Sequence, residues 1–296
     1  MKHRRQAPVF HWCFISRRTL PRMDARPIGM FDSGVGGLTV LHECLVTLPH
    51  EDFVYFGDSH PDRFPYGPKP AGVIARFAHE VAAHLAALDV KLIVVACNAA
   101  TASALPGLQR EFAVPLIGVI TPEAHAAVQA TRTRRVGVMA TEATVASGRY
   151  PQAVHLLDAG IEVAQVACPL LVPLIQSGDV HGEELHDAAR GYAAELKDAD
   201  VDTVILGCTH YPLIRPMLQR IFGRGVTLIT SAEEIAREAA DTVARRGVSN
   251  EPAREGTYRF MCTGDPGAFR EVAGRFLQLP LTEVERVDPA ALAVAA

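Results

Sequence analysis

Two cysteines carry the sequence's clearest chemical signal. Cys97 closes the apolar run LIVVAC and is followed by Asn98; Cys208 closes VILGC and is followed by Thr209 and His210. A small thiol at the end of an apolar strand is ordinarily a core residue. Here each stands where a strand gives way to a helix, with Asn98 and Thr209 as cap candidates and Pro212 suited to the first turn. A thiol at a helix N-terminus is expected to lean towards thiolate, and His210 stands two residues from Cys208, within reach of a proton exchange. Two such thiols on opposite sides of one substrate would suit the inversion of a carbon centre. One takes a proton from one face while the other delivers a proton to the opposite face.

The cysteines also mark an internal echo. They lie 111 residues apart, and PIGMFDSG around Asp32 resembles RVGVMATE around Ala140, 108 residues later. Two segments offset by nearly one period predict two similar lobes, with the cysteines at equivalent strand ends facing each other across a cleft.

Other chemistries have less support. FDSGVGGLTVL (31–41) has neither GxGxxG spacing nor a following GK[ST], so it is not a nucleotide cradle. Asp32 is nonetheless well placed at a strand end, and a simple structural turn is the alternative. His79 and His84 are five apart and do not share a helix face, so with Glu80 they are expected to be exposed helix residues and no metal site. The six cysteines include no CxxC pair. Only four lysines are present, Lys2, Lys69, Lys91 and Lys197, which leaves a Schiff-base cofactor poorly supplied.

The elements that must position these residues alternate. Strand-like runs PIGMF, FVYFGD, KLIVVAC, PLIGVI, RRVGVMAT, GIEVAQVAC, DTVILGC and GVTLIT are separated by helical spacing such as AGVIARFAHEVAAHLAALD (71–89). This predicts an α/β protein with parallel sheets, whose functional groups lie beyond the carboxyl ends of the strands. The reading is two pseudo-symmetric Rossmann-like lobes with the active site in the cleft between them: residues 27–121 plus 231–296 in the first, 122–230 in the second. Residues 1–26 are expected to be an extension outside the fold, with Met23 a candidate start and residues 1–22 dispensable. With 296 residues, 49% hydrophobic and a net charge of −4, the chain can bury substantial cores, lacks the basic balance of a nucleic-acid binder and has no run long enough to span a bilayer. A cytoplasmic protein is the expectation.

The blocks IGMFDSGVGGLTVL, PYGPK, VVACN and VILGCTHYPL, in this order from about Pro27 to Val243, resemble the glutamate racemases of the cofactor-independent aspartate/glutamate racemase superfamily. The resemblance implies interconversion of L- and D-glutamate without cofactor or metal, with the D-isomer supplying peptidoglycan synthesis. It implies that Cys97 takes the proton from D-glutamate and Cys208 from L-glutamate, assisted by Asp32 and His210 respectively. Asp32, Ser33, Tyr66, Gly67, Asn98, Thr209 and His210 would line the substrate pocket. Glutamate is then the partner; nucleic acid and membrane are not, and a homodimer is left open.

The chain departs from the pattern in four places. Ala99 stands where a threonine is common, the SHPDRF loop before PYG is about two residues longer, and TSAEE (230–234) replaces a DSGEE-like stretch. Gln176 stands where a glutamate is usual; a neutral side chain there is expected to make the Cys208 thiolate easier to form. A binding protein that has lost turnover, or a racemase of aspartate or a hydantoin, are the alternative readings.

Overall fold

The computed structural model describes residues 23–281 and 283–295. Among the described residues ten strands form two wholly parallel sheets. In the first, β1 (Ile28–Asp32), β2 (Phe53–Gly57), β3 (Leu92–Val95) and β4 (Leu116–Gly118) are joined late in the chain by β9 (Tyr258–Cys262) and β10 (Glu285–Arg286), in the order β10-β9-β2-β1-β3-β4. In the second, β5 (Arg135–Ala140), β6 (Glu162–Ala167), β7 (Thr203–Gly207) and β8 (Thr227–Ile229) run in the order β6-β5-β7-β8. The four-strand order 2-1-3-4 occurs in both sheets, so β3 and β7, the strands before the two cysteines, hold equivalent places.

Helices complete each lobe. The first has α1 (Leu38–Thr47), α2 (Ala71–Ala87) and α3 (Asn98–Glu111). The chain then crosses through α4 (Ile120–Ala130) into the second lobe, which holds α5 (Glu142–Ala146), α6 (Arg149–Leu157), α7 (Leu171–Ser177), α8 (Glu183–Asp198), a 3-10 turn (Tyr211–Ile214) and α9 (Arg215–Phe222). It returns through α10 (Ser231–Arg246) and ends with α11 (Pro266–Leu277) and α12 (Pro289–Ala295).

Strands β1, β2, β3 and β7 are buried along their whole length, which explains their nearly continuous apolar runs. Helix α2 buries Ile74, Phe77, Ala78, Val81, Ala82 and Leu85 on one stripe. The start of β9 is different: Tyr258 and Arg259 are exposed, so the run lacks the apolar signature of its neighbours.

Residues 24–26, read from the sequence as part of an extension, are fixed to the body. The Asp24 N–H donates to Ser249 O at 3.1 Å, and Lys91 Nζ donates to Asp24 O at 2.7 Å while pairing with buried Glu51 at 2.5 Å. Residues 1–22 lie outside the described residues. Among the described residues no helix is long and apolar enough to cross a membrane, and their five cysteines are free.

Candidate active site

The carboxyl ends of both sheets open on one cleft of about 620 Å³, its mouth included. From the first lobe come Ser33, Tyr66, Gly67, Cys97, Asn98 and Ala99, and from the second Cys208, Thr209 and His210. Every residue expected to line a substrate pocket is there except Asp32. That residue ends β1 one layer behind the wall, 1% exposed, with Oδ2 accepting the Gly34 N–H at 3.0 Å and Oδ1 the Thr209 hydroxyl at 3.4 Å.

The lobes meet closely on either side of the cleft. A Cβ at Gly36 would stand 2.3 Å from Thr209 Oγ1 and 2.6 Å from His210 Nδ1; one at Gly67 would stand 2.9 Å from Thr141 Cβ. Glycine is required by this approach. The Ala143 N–H donates to Gly67 O at 2.9 Å and the Thr39 hydroxyl to Thr209 O at 3.3 Å, each bond joining the two lobes.

Cys97 itself occupies the N-cap of α3, with extended backbone, and neither Asn98 nor Thr209 caps a helix as the sequence suggested. Asn98 is the first helical residue and its amide turns inward, donating to Glu123 Oε2 at 3.1 Å and to the Tyr150 hydroxyl at 2.7 Å. Thr209 turns to Asp32. Cys208 leads into the 3-10 turn, where Pro212 takes an early position.

The thiols are also less acidic than a helix N-terminus alone would make them. Burial pushes Cys97 up to about 12, with the nearby Asp32 charge adding to the rise. The N–H groups of Ala100 and Ser33 and the Ser33 hydroxyl offset only part of it. Cys208 is raised further by burial, against the His210 N–H, and by the charges of Asp32, Cys97 and Cys168. Desolvation of an anion in a closed site outweighs a half-charge dipole.

The titratable groups behind the two thiols differ. Burial raises Asp32, against the N–H groups of Gly34 and Gly37 and the Cys97 thiol. His210 Nδ1 lies 3.9 Å from Cys208 Sγ, and burial beside Phe276, whose ring stands edge-on at 5.2 Å, drops it to about 4. It is therefore neutral at physiological pH, with Nδ1 turned towards the thiol.

Tyr66 is held from behind. Its hydroxyl donates to Asp58 Oδ2 at 2.5 Å; Asp58 also receives Arg63 Nε at 2.7 Å and the Thr263 hydroxyl at 2.8 Å. Arg63 reaches Glu80 at 2.5 Å, so Glu80 is buried by this pairing and not exposed as its helix position suggested. The lengthened SHPDRF loop thus supplies the arginine that fixes the PYG turn. Gln176 is half-buried on α7 outside the cleft lining, which this helix reaches with Val172 and Pro173.

Sequence reasoning missed Phe64, Thr141, Glu142 and Cys168 in the lining. Two had a signal: Thr141 is the 108-residue echo of Ser33, and Cys168 closes β6 as Cys97 and Cys208 close β3 and β7. Buried Glu123 had none.

This chain matches the Asp/Glu/Hydantoin racemase family model over residues 40–239. It is 43% identical to a glutamate racemase of Geobacter metallireducens over 266 residues, covering 90% of this chain and 98% of that protein. Among solved structures, a glutamate racemase isoform of Bacillus anthracis superposes with a TM-score of 0.85 at 37% identity, over 89% of this chain and 98% of the other. A glutamate racemase of Francisella tularensis, crystallised with D-glutamate, gives 0.83 at 36% identity, over 90% and 98%.

Proposed function

Because this chain belongs to the Asp/Glu/Hydantoin racemase family, we propose that it interconverts L- and D-glutamate by two-base proton transfer between Cys97 and Cys208. The observation that carries the reading is the arrival of two strand-end thiols, one from each lobe, in the lining of a single cleft.

In the L-to-D direction the Cys208 thiolate takes the Cα proton, leaving its electron pair on Cα and the adjoining carboxylate. The Cys97 thiol delivers its own proton to the opposite face. The enzyme is left with Cys208 as thiol and Cys97 as thiolate, the form that serves the reverse reaction. His210 and Asp32 return protons to the starting arrangement. When the substrate ammonium enters the closed cleft it offsets the cost of burying one anion: the attacking thiol, Cys208 in this direction, passes its proton to His210 and becomes the thiolate, while Cys97 stays a thiol.

Ser33, Tyr66, Gly67, Asn98, Thr209 and His210 bind the substrate, and Asp32 acts from behind them. The first N–H groups of α3 have no partners within the helix and suit a carboxylate, so Ala99 contributes its backbone where it lacks a hydroxyl. The product serves peptidoglycan synthesis in the cytoplasm. Circular dichroism of purified protein with L-glutamate and no added cofactor tests the reading: the optical signal should decay to that of the racemate. A constant signal would leave a binding protein, and decay only with aspartate would reassign the substrate.

A further inference from the structure

Between the two crossings of the chain lies a buried carboxyl that the proton transfer does not use. Glu123 stands in the first turn of α4, the outgoing crossover, with no exposed surface. Its Oε2 accepts the Asn98 amide from the first lobe at 3.1 Å and, at very short range, the Tyr150 hydroxyl from α6 of the second lobe. Asn98 closes the triangle by donating to Tyr150 at 2.7 Å. The Ser231 hydroxyl, at the first residue of the returning crossover α10, faces the same carboxyl. One side chain thus ties both lobes and faces both crossings.

We propose that Glu123 is a positioning residue: through Asn98 and Tyr150 it clasps the lobes together and fixes the α3 N-terminus, and with it Cys97, at the working distance from Cys208. The proposal rests on the glutamate reading above. Asn98 follows Cys97 directly and lines the cleft, so any freedom at its amide is freedom of the substrate wall. The geometry also fixes what the clasp can tolerate. The groups facing it are Asn98 from α3, Tyr150 from α6, and Ser231 and Glu234 from α10. Burial lifts the carboxyl to about 8 despite the hydrogen bonds of Tyr150 and Asn98 and the facing Ser231 hydroxyl, and the Glu234 charge adds to the rise. At neutral pH Glu123 is therefore mostly protonated. Above pH 8 an anion develops behind the cleft and opposes entry of a dicarboxylate substrate.

Three variants test this: Glu123→Gln, Glu123→Leu and Tyr150→Phe. Glutamine keeps the acceptor and stays neutral; leucine removes the clasp; phenylalanine removes one strand of it at constant shape. The expected result is a KM for glutamate raised about tenfold in Glu123→Leu, with a smaller change in kcat, and rescue by Glu123→Gln at pH 7. Above pH 8 the KM of the native protein should climb relative to that of Glu123→Gln. A readout independent of turnover is the unfolding midpoint against pH. The native protein holds a proton that its unfolded chain releases, so Glu123 costs stability as pH rises from about 4.5 to 8. Glu123→Gln should flatten that fall. Parallel stability curves for the two proteins overturn the proposal whatever the activity. So does a native KM in folded Glu123→Leu, or in Tyr150→Phe should the leucine variant fail to fold. A flattened curve in a protein without racemase activity would leave the clasp standing and remove the glutamate reading instead.

Discussion

The ends of β3 and β7 hold the same residue at the same place in two copies of one sheet order, yet different titratable groups stand behind them. Cys97 caps a fourteen-residue α-helix and is backed by a carboxyl, Asp32, whose own burial favours its protonated form. Cys208 runs into a single 3-10 turn and is backed by an imidazole kept neutral by burial against aromatic rings. One thiol therefore sits beside a group that holds a proton readily, the other beside a group that burial keeps neutral. A duplicated framework gives the two thiols matching positions, and on the proposed two-base reading the side chains behind them divide the proton between the two faces.

The largest expected effect comes from deleting either thiol. Cys97→Ala and Cys208→Ala should each lower racemisation by roughly 10³-fold or more, the scale of a lost acid/base group, while steady-state circular dichroism of the backbone stays native. Substantial activity in one variant alone would mean that the two ends are not equivalent in the reaction.

Next come the partners. His210→Asn and Asp32→Asn should each cost on the order of 10²-fold. Enantiomers have equal free energy, so kcat/KM must fall equally in both directions; the asymmetry has to appear elsewhere. With substrate deuterated at Cα, the isotope effect should change mainly from L-glutamate in His210→Asn and mainly from D-glutamate in Asp32→Asn. Identical changes in both would erase the distinction drawn between the ends.

The same contrast has a thermodynamic face. His210 falls from 6.5 to about 4 on folding, so the fold favours its neutral form. That stability is full above the unfolded value and is lost as pH drops from 6.5 towards 4, by about 3 kcal/mol in all. His210→Asn should remove this part of the acid destabilisation in urea titrations. Asp32 has the opposite slope: its raised value means that it costs stability as pH rises past the unfolded carboxyl range, and Asp32→Asn should relieve that cost.

The smallest effect is expected at Gln176. Being outside the cleft lining, Gln176→Glu should change rates by less than about threefold with no displaced pH limb, since a half-exposed charge is well screened. A shift confined to one direction would bring α7 into the proton path of Cys208.

Much of this site was legible in the sequence, for a specific reason. Parallel strands covered on both faces must be almost wholly apolar, so the runs ending at Asp32, Cys97 and Cys208 stood out, and their repetition announced two lobes. The same repetition, followed one residue further, would have given Thr141 from Ser33. What escaped was what depends on burial across the lobes. Helix-end position suggested acidic thiols, and only the closed cleft reveals desolvation as the larger influence. Glu80 sits on a polar-looking helix face and is buried because Arg63 reaches it from another loop. Glu123 reads as an ordinary first-turn acid, since nothing local announces that Asn98 and Tyr150 converge on it. Strand β9 escaped because its exposed Tyr258 and Arg259 break the apolar pattern.

If protons enter and leave by different thiols, the washing in of solvent deuterium shows it directly. L-glutamate incubated with the protein in D₂O and stopped at low conversion should yield D-glutamate bearing deuterium at Cα, while the recovered L-glutamate stays unlabelled. The D-isomer as starting material should give the mirror result. Recovered substrate labelled as fast as product, from either isomer, would mean that one base serves both faces and would contradict the account.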